Sequence, residues 1–146
     1  MIKLTRNKSI FDKLKNQETF SDRLTIFLLH FAFFLREYKT SSSRDELQNI
    51  YDFNFKQIEI SLREIGYGDM SINKKMKQYI NLFHLIITKI QNWTILENSN
   101  KADLFHEFLG KTIETEFFID YFEKYRLYLT KKPLYSFSKD IIEIKI

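Results

Sequence analysis

Among the residues of this chain that could act as general acids, general bases or metal ligands, no catalytic constellation stands out. Three histidines, His30, His84 and His106, lie far apart, and none has a second histidine at metal-ligand spacing. Glu107 adjoins His106 but falls on a different helix face. Neither a G-x-S-x-G nucleophile turn nor a phosphate-loop lysine pattern is present. Gly66-Tyr67-Gly68 lacks the third glycine and the preceding strand of a dinucleotide fingerprint. Glu114, Glu116 and Asp120 form an acidic run whose ordinary reading is a solvated helix face. With no cysteine, thiolate ligands and a disulfide framework are excluded. The expectation is a non-enzymatic chain with no catalytic residue, no metal and no cofactor. An enzyme whose site is assembled from distant residues is the competing class, and nothing in the sequence supports it.

Polar chemistry concentrates instead in residues 62–77, LREIGYGDMSINKKMK. Gly66 sits where a helix must stop, since a residue just past a helix end often needs a left-handed backbone. Asp69 or Ser71 is then placed to accept the free amide hydrogens of the next helix. Lys74, Lys75 and Lys77 are expected in or near its first turns. The helix dipole disfavours cations there, by roughly 0.3–1 kcal/mol each when exposed. Two readings stand: contact with a negatively charged partner, or a solvated basic turn. In the first, the turn is also a candidate RNA- or ribosome-binding surface, whose affinity would fall steeply with salt.

The elements that position this turn are helical. Residues 24–35 are apolar apart from Thr25 and His30, with Arg23 and Arg36 at the ends. Twelve residues make about 18 Å of helix, short of a roughly 30 Å hydrocarbon core. The segment therefore reads as a central core helix, part of which could stay open as a groove for an apolar client. His30 within it reads as a hydrogen-bonded core or interface residue. Ser43 and Glu46 form an S-x-x-E capping box, so the next helix is predicted over 44–65. Leu47, Ile50, Tyr51, Phe55, Ile58, Leu62 and Ile65 recur along it at helical spacing. A third helix is predicted over 72–93, antiparallel to the second. Residues 97–101 read as a loop, followed by a short helix ending before Gly110. Thr112 is placed to open a last long helix carrying Phe117, Phe118, Tyr121, Phe122, Tyr125, Tyr128 and Leu129, which Pro133 ends. Ile142, Ile144 and Ile146 alternate with Glu143 and Lys145, a pattern suited to an extended tail lying across the helices.

Composition agrees with one all-α domain over 1–146, a compact body of about five to six helices around a long central antiparallel hairpin. One proline and three glycines leave too few turn residues for a β sandwich. A chain of 146 residues buries roughly two-thirds of its unfolded surface and needs no covalent staples. Near the start, Ile10, Phe11 and Leu14 could make a short amphipathic helix, and the basic first twenty residues hold no continuous apolar core of the secretory kind. The net charge of +4 suits an anionic surface or partner without requiring nucleic acid. Fifteen phenylalanines, eight tyrosines and one tryptophan fall largely at helical spacing. They serve as core, or, for Trp93 and the tyrosines from Tyr121 to Tyr135, as the edge of a groove.

Residues 62–77 resemble the LREMGVGDLSVGKRVK-type signature of the ubiquinol–cytochrome c chaperone family, bacterial relatives of the mitochondrial chaperone for newly made cytochrome b. Upstream, IYDFNFKQIEISLRE is similar to that family's LFD…F…LRE helix, with Asp52, Phe55, Leu62, Arg63 and Glu64 in matching positions. RLTIFLLHFAFFLR matches a family helix through Arg23, Leu29, His30, Leu35 and Arg36. Tyr67, Asn73 and Gln57 depart from the pattern. The resemblance implies an assembly chaperone that holds cytochrome b while respiratory complex III is built, and no small-molecule substrate. It also implies a cytoplasmic protein, peripheral at the inner face of the membrane, with the ribosome, the membrane surface or a small partner subunit as further contacts. The residues expected to meet a partner are Leu62, Arg63, Glu64, Gly66, Gly68, Asp69, Lys74, Lys75 and Lys77.

Overall fold

The computed structural model describes residues 8–14 and 20–132. Six helices follow one another among them: α1 (Lys8–Lys13), α2 (Phe20–Tyr38), α3 (Arg44–Ile65), α4 (Asp69–Ile90), α5 (Asn98–Leu109) and α6 (Thr115–Thr130). A 3-10 turn, Trp93–Ile95, joins α4 to α5. The all-α expectation holds. The extended tail with Ile142, Ile144 and Ile146, together with Pro133 and Tyr135, lies outside the described residues.

The axis of the molecule is α2. Its apolar residues run nearly all round, so it is stable only when wrapped by other helices. Ile26, Leu28, Leu29, Phe31, Ala32 and Phe33 are all fully buried. Helices α4, α5 and α6 pack against it, and α5 packs on α6. Phe31 stacks on Phe83 of α4 at 5.1 Å between ring centroids, and Phe33 stacks on Phe122 of α6 at 5.0 Å. On a third side Phe33 meets Trp93 edge to face. Ring pairs at such offsets add to plain area burial, and they explain where most of the aromatic excess goes. Trp93, Tyr121 and Tyr125 belong to this core and do not edge a groove.

The hairpin of α3 and α4 forms as the sequence implies. Tyr51 meets His84, Phe55 meets Phe83, and Arg63 meets Asp69, a pairing that runs antiparallel. Its α4 arm lies against α2, whereas α3 is an outer layer with only Phe55, Ile58 and Leu62 buried. The capping box closes as predicted: Ser43 Oγ accepts from the Glu46 amide at 3.1 Å, and the Ser43 amide donates to Glu46 Oε2 at 3.4 Å. Arg36, at the end of α2, donates from Nε to the Ile90 carbonyl at 3.0 Å and so satisfies the C-terminus of α4.

Several predicted boundaries move. Helix α4 begins at Asp69 rather than 72 and ends at Ile90 rather than 93. Its N-cap is Gly68, without any side-chain cap, so neither Asp69 nor Ser71 serves there. Asp69 is the first helical residue, and its carboxylate accepts from Arg63 Nη1. The polar stretch 97–101 is not a loop; its residues from Asn98 onward form the first turn of α5. Helix α6 opens at Thr115, three residues later than Thr112.

Candidate functional site

Two surfaces lie at opposite ends of the α3–α4 pair. At the turn, a Schellman motif ends α3: the Gly66 amide donates to the Arg63 carbonyl at 3.0 Å and the Tyr67 amide to the Leu62 carbonyl at 3.3 Å. Gly66 takes φ of 108°, the left-handed region foreseen for it. Arg63 bridges Glu59 and Asp69, raising its own pKa through the hydrogen bonds to these carboxylates and lowering that of Glu59. The turn is thus a fixed shape rather than a loose connection.

Among the sequence-predicted residues, Leu62 is buried and holds the base of the turn in the core. Arg63, Glu64, Gly66, Gly68 and Asp69 are exposed on it, as are Lys74 and Lys77, while Lys75 is half-buried with its ammonium 5.8 Å over the Tyr67 ring. Because α4 starts at Asp69, the three lysines occupy its second and third turns. The dipole acts over the first turn only, so the argument that helix electrostatics opposes these lysines does not hold. The lysines are neutral toward the helix, so their placement argues neither for nor against a partner. The turn does expose side chains that sequence reasoning passed over: Ile65, Tyr67 and Met70, the last 88% exposed.

The second surface is a groove of about 640 Å³ between the end of α2, the start of α3 and the second half of α4. Leu35, Leu47, Tyr51, Phe83 and Ile87 form its apolar wall, with Lys39 and Arg44 at the rim. Its polar lining includes Gln48 and the Tyr51 hydroxyl, the latter 3.2 Å from Nε2 of His84. Partial burial, and secondarily Asp52, raises the Tyr51 pKa, so the phenol keeps its proton and no anion is generated there. Apolar surface with a few hydrogen-bonding groups can hold an apolar segment and satisfy polar groups along it. Its three strands of sequence lie far apart, which hid the groove from the linear reading; the open face next to residues 24–35 was the only signal.

His30, quoted above as a family-helix residue, is interior. Nδ1 lies 2.7 Å from the Ile26 carbonyl and Nε2 2.7 Å from the Tyr121 hydroxyl. The carbonyl can only accept, so Nδ1 carries the hydrogen and the Tyr121 O–H donates to Nε2. Burial lowers the His30 pKa to about 4. Tyr125 O–H donates to the His30 carbonyl at 3.2 Å, completing a neutral polar knot between α2 and α6. Among the described residues no group of three or more potential ligands could hold a metal ion. None of the described helices is long and apolar enough to cross a membrane.

These features define an all-α protein that offers an open apolar groove and a rigid, exposed helical turn. The ubiquinol-cytochrome C chaperone family model matches residues 12–92, more than half of the chain, and the chain belongs to that family. The match takes in α2, α3, α4, the whole lining of the groove and the turn. Comparison with curated proteins and with solved structures gives no match.

Proposed function

We propose that this chain is a non-enzymatic assembly chaperone that holds newly made cytochrome b during biogenesis of ubiquinol–cytochrome c reductase, respiratory complex III. Family membership supports a chaperone role, and the groove at Leu35, Leu47, Tyr51, Phe83 and Ile87 is the single observation that carries the reading. Cytochrome b is an apolar client, and an apolar trough on a stable helical body can cover one of its segments before assembly. The basic rim at Lys39 and Arg44 would meet acidic or carbonyl groups flanking that segment. The work belongs on the cytoplasmic side of the membrane that receives the client.

The test is capture of cytochrome b from a respiring cell by the tagged full chain. Leu47→Asp with Ile87→Glu places two charges in the half-buried wall and should abolish capture. Lys39→Glu with Arg44→Glu should weaken it, and should leave the fold intact because both positions are exposed and an acid at the first turn of α3 suits the dipole. Folded variants of both kinds that capture cytochrome b at the wild-type level would refute the groove as its site.

A further inference from the structure

We propose that the α3–α4 turn is an interfacial anchor that seats the chain on an anionic lipid surface. Every residue from 63 to 71 is exposed, so the turn projects from the body. Its outermost apolar side chains are solvent-exposed, Ile65 at 52% and Met70 at 88%, with Tyr67 38% exposed beside Lys75. Along α4, Met70, Lys74 and Lys77 are spaced i, i+4, i+7 and share the face opposite buried Ile72, Tyr79 and Phe83. At 1.5 Å per residue the two lysines stand about 6 and 10 Å behind Met70 along the helix. Apolar groups entering an interface to about 5–10 Å would therefore bring both ammonium groups to the phosphate level.

Charge complementarity selects the partner. Residues 63–77 hold Arg63, Lys74, Lys75 and Lys77 against Glu64 and Asp69, an excess of two positive charges. Asp69 is paired with Arg63, which leaves the outward lysine face for phosphates. A nucleic acid fits less well. It would use lysines and a free aromatic face, but Tyr67 is the turn's aromatic ring and Lys75 already lies over it. It would also have no use for Ile65 and Met70. An anionic bilayer uses both sets of groups at once. This anchor is separate from the groove and does not depend on the identity of the client.

The test is co-sedimentation of the purified full chain with large vesicles of phosphatidylcholine, with and without phosphatidylglycerol. Binding is expected to the anionic vesicles, to fall about fivefold for each lysine neutralised at 74 and 77, and to weaken with salt. Met70→Gln leaves charge unchanged on a fully exposed side chain, so it should fold normally and still reduce partitioning severalfold. The natural chain has no cysteine. A dye on Met70→Cys should therefore shift to the blue with anionic vesicles, while the same dye on exposed Ile95→Cys, in the turn after α4, should not. Absence of binding to anionic vesicles would overturn the proposal. So would binding indifferent to both Met70→Gln and the lysine changes, or retention of a single-stranded RNA in place of vesicles. Cytochrome b capture in detergent, unaltered in Met70→Gln, separates failure here from failure of the groove.

Discussion

Lowering the pH should destabilise this protein through His30, and the size of the effect follows from its surroundings. Burial holds the imidazole pKa at about 4 against an ordinary 6.5. The folded state therefore takes up the proton less readily than the unfolded chain. Stability is full above about pH 6.5 and is lost as pH falls toward 4. At 1.36 kcal/mol per pKa unit, the loss is about 2 kcal/mol by pH 5 and about 3 kcal/mol by pH 4. The hydrogen bond to the Ile26 carbonyl offsets only part of the burial effect, and the titratable groups facing the ring are Tyr121 and Tyr125 from α6, whose pKa values burial raises. Neither phenol offers a negative charge to an imidazolium. A typical domain is stable by only about 5–15 kcal/mol, so a single proton removes a sizeable share.

Urea unfolding of the wild type and of His30→Gln, followed from pH 7 to pH 4, isolates the contribution. Glu59 and Glu123 also have lowered pKa values, Glu59 through its hydrogen bond from Arg63 and Glu123 through that from Arg126. Both lose stabilising contacts as pH falls, so the wild-type curve alone would mix sources. They are present in both proteins and cancel in the comparison. The variant should be less stable at pH 7, because a hydrogen-bonded ring between α2 and α6 is lost, but its acid slope should be shallower. By pH 5 the gap between the two should have narrowed by about 2 kcal/mol, roughly 1 M in the urea midpoint. Parallel stability curves, or an NMR titration placing the His30 ring above pH 6.5, would refute the burial argument.

Two further outcomes concern caps. Gly66→Val should cost about 1–2 kcal/mol, because an added Cβ meets no atom within 4 Å and the left-handed backbone is the sole penalty. Gly68→Ala, at φ of −78°, meets no left-handed strain and loses only a modest N-cap preference, so it should cost less, within about 1 kcal/mol of wild type; equal costs in thermal unfolding would contradict the assignment. Ser43→Ala removes one half of the closed capping box and should cost about 1 kcal/mol, measured by the same unfolding.

The elements written in local chemistry were the ones legible in sequence. The Ser43–Glu46 box, the Gly66 stop and the all-round apolar run of α2 each act within one or two turns, and each appears where the residues place it. Boundaries failed where the signal is an absence. Gly68 caps α4 without a side chain, while the neighbouring Asp69 and Ser71 carry the side chains that suit a cap. The first turn of α5 is Asn98, Ser99, Asn100 and Lys101, which read as loop because no apolar residue marks it. Trp93 and the α6 tyrosines were ambiguous because their spacing suits a core and a groove edge equally. Their burial is decided by α2 and α5, from elsewhere in the chain. The groove was the least visible feature, since Leu35, Leu47 and Phe83 meet only after three helices pack.

The two ends of α4 set a geometry for the proposed work. Met70 stands at its start, and Phe83 and Ile87 line the groove thirteen and more residues later. At 1.5 Å per residue that is a separation of about 20 Å along one unbroken helix. The helix cannot bend to close that distance without breaking its Phe31–Phe83 and Arg36–Ile90 contacts with α2. A turn seated in the headgroups would hold the groove clear of the hydrocarbon yet within reach of a segment leaving it. Anchor and groove would then act as a fixed spacer, and lengthening α4 should uncouple them. Four residues inserted between Tyr79 and Phe83, with four matched residues in α3, would add about one helical turn. Vesicle binding by the turn should persist while capture of cytochrome b at the membrane falls, and unchanged capture would show that the distance carries no function.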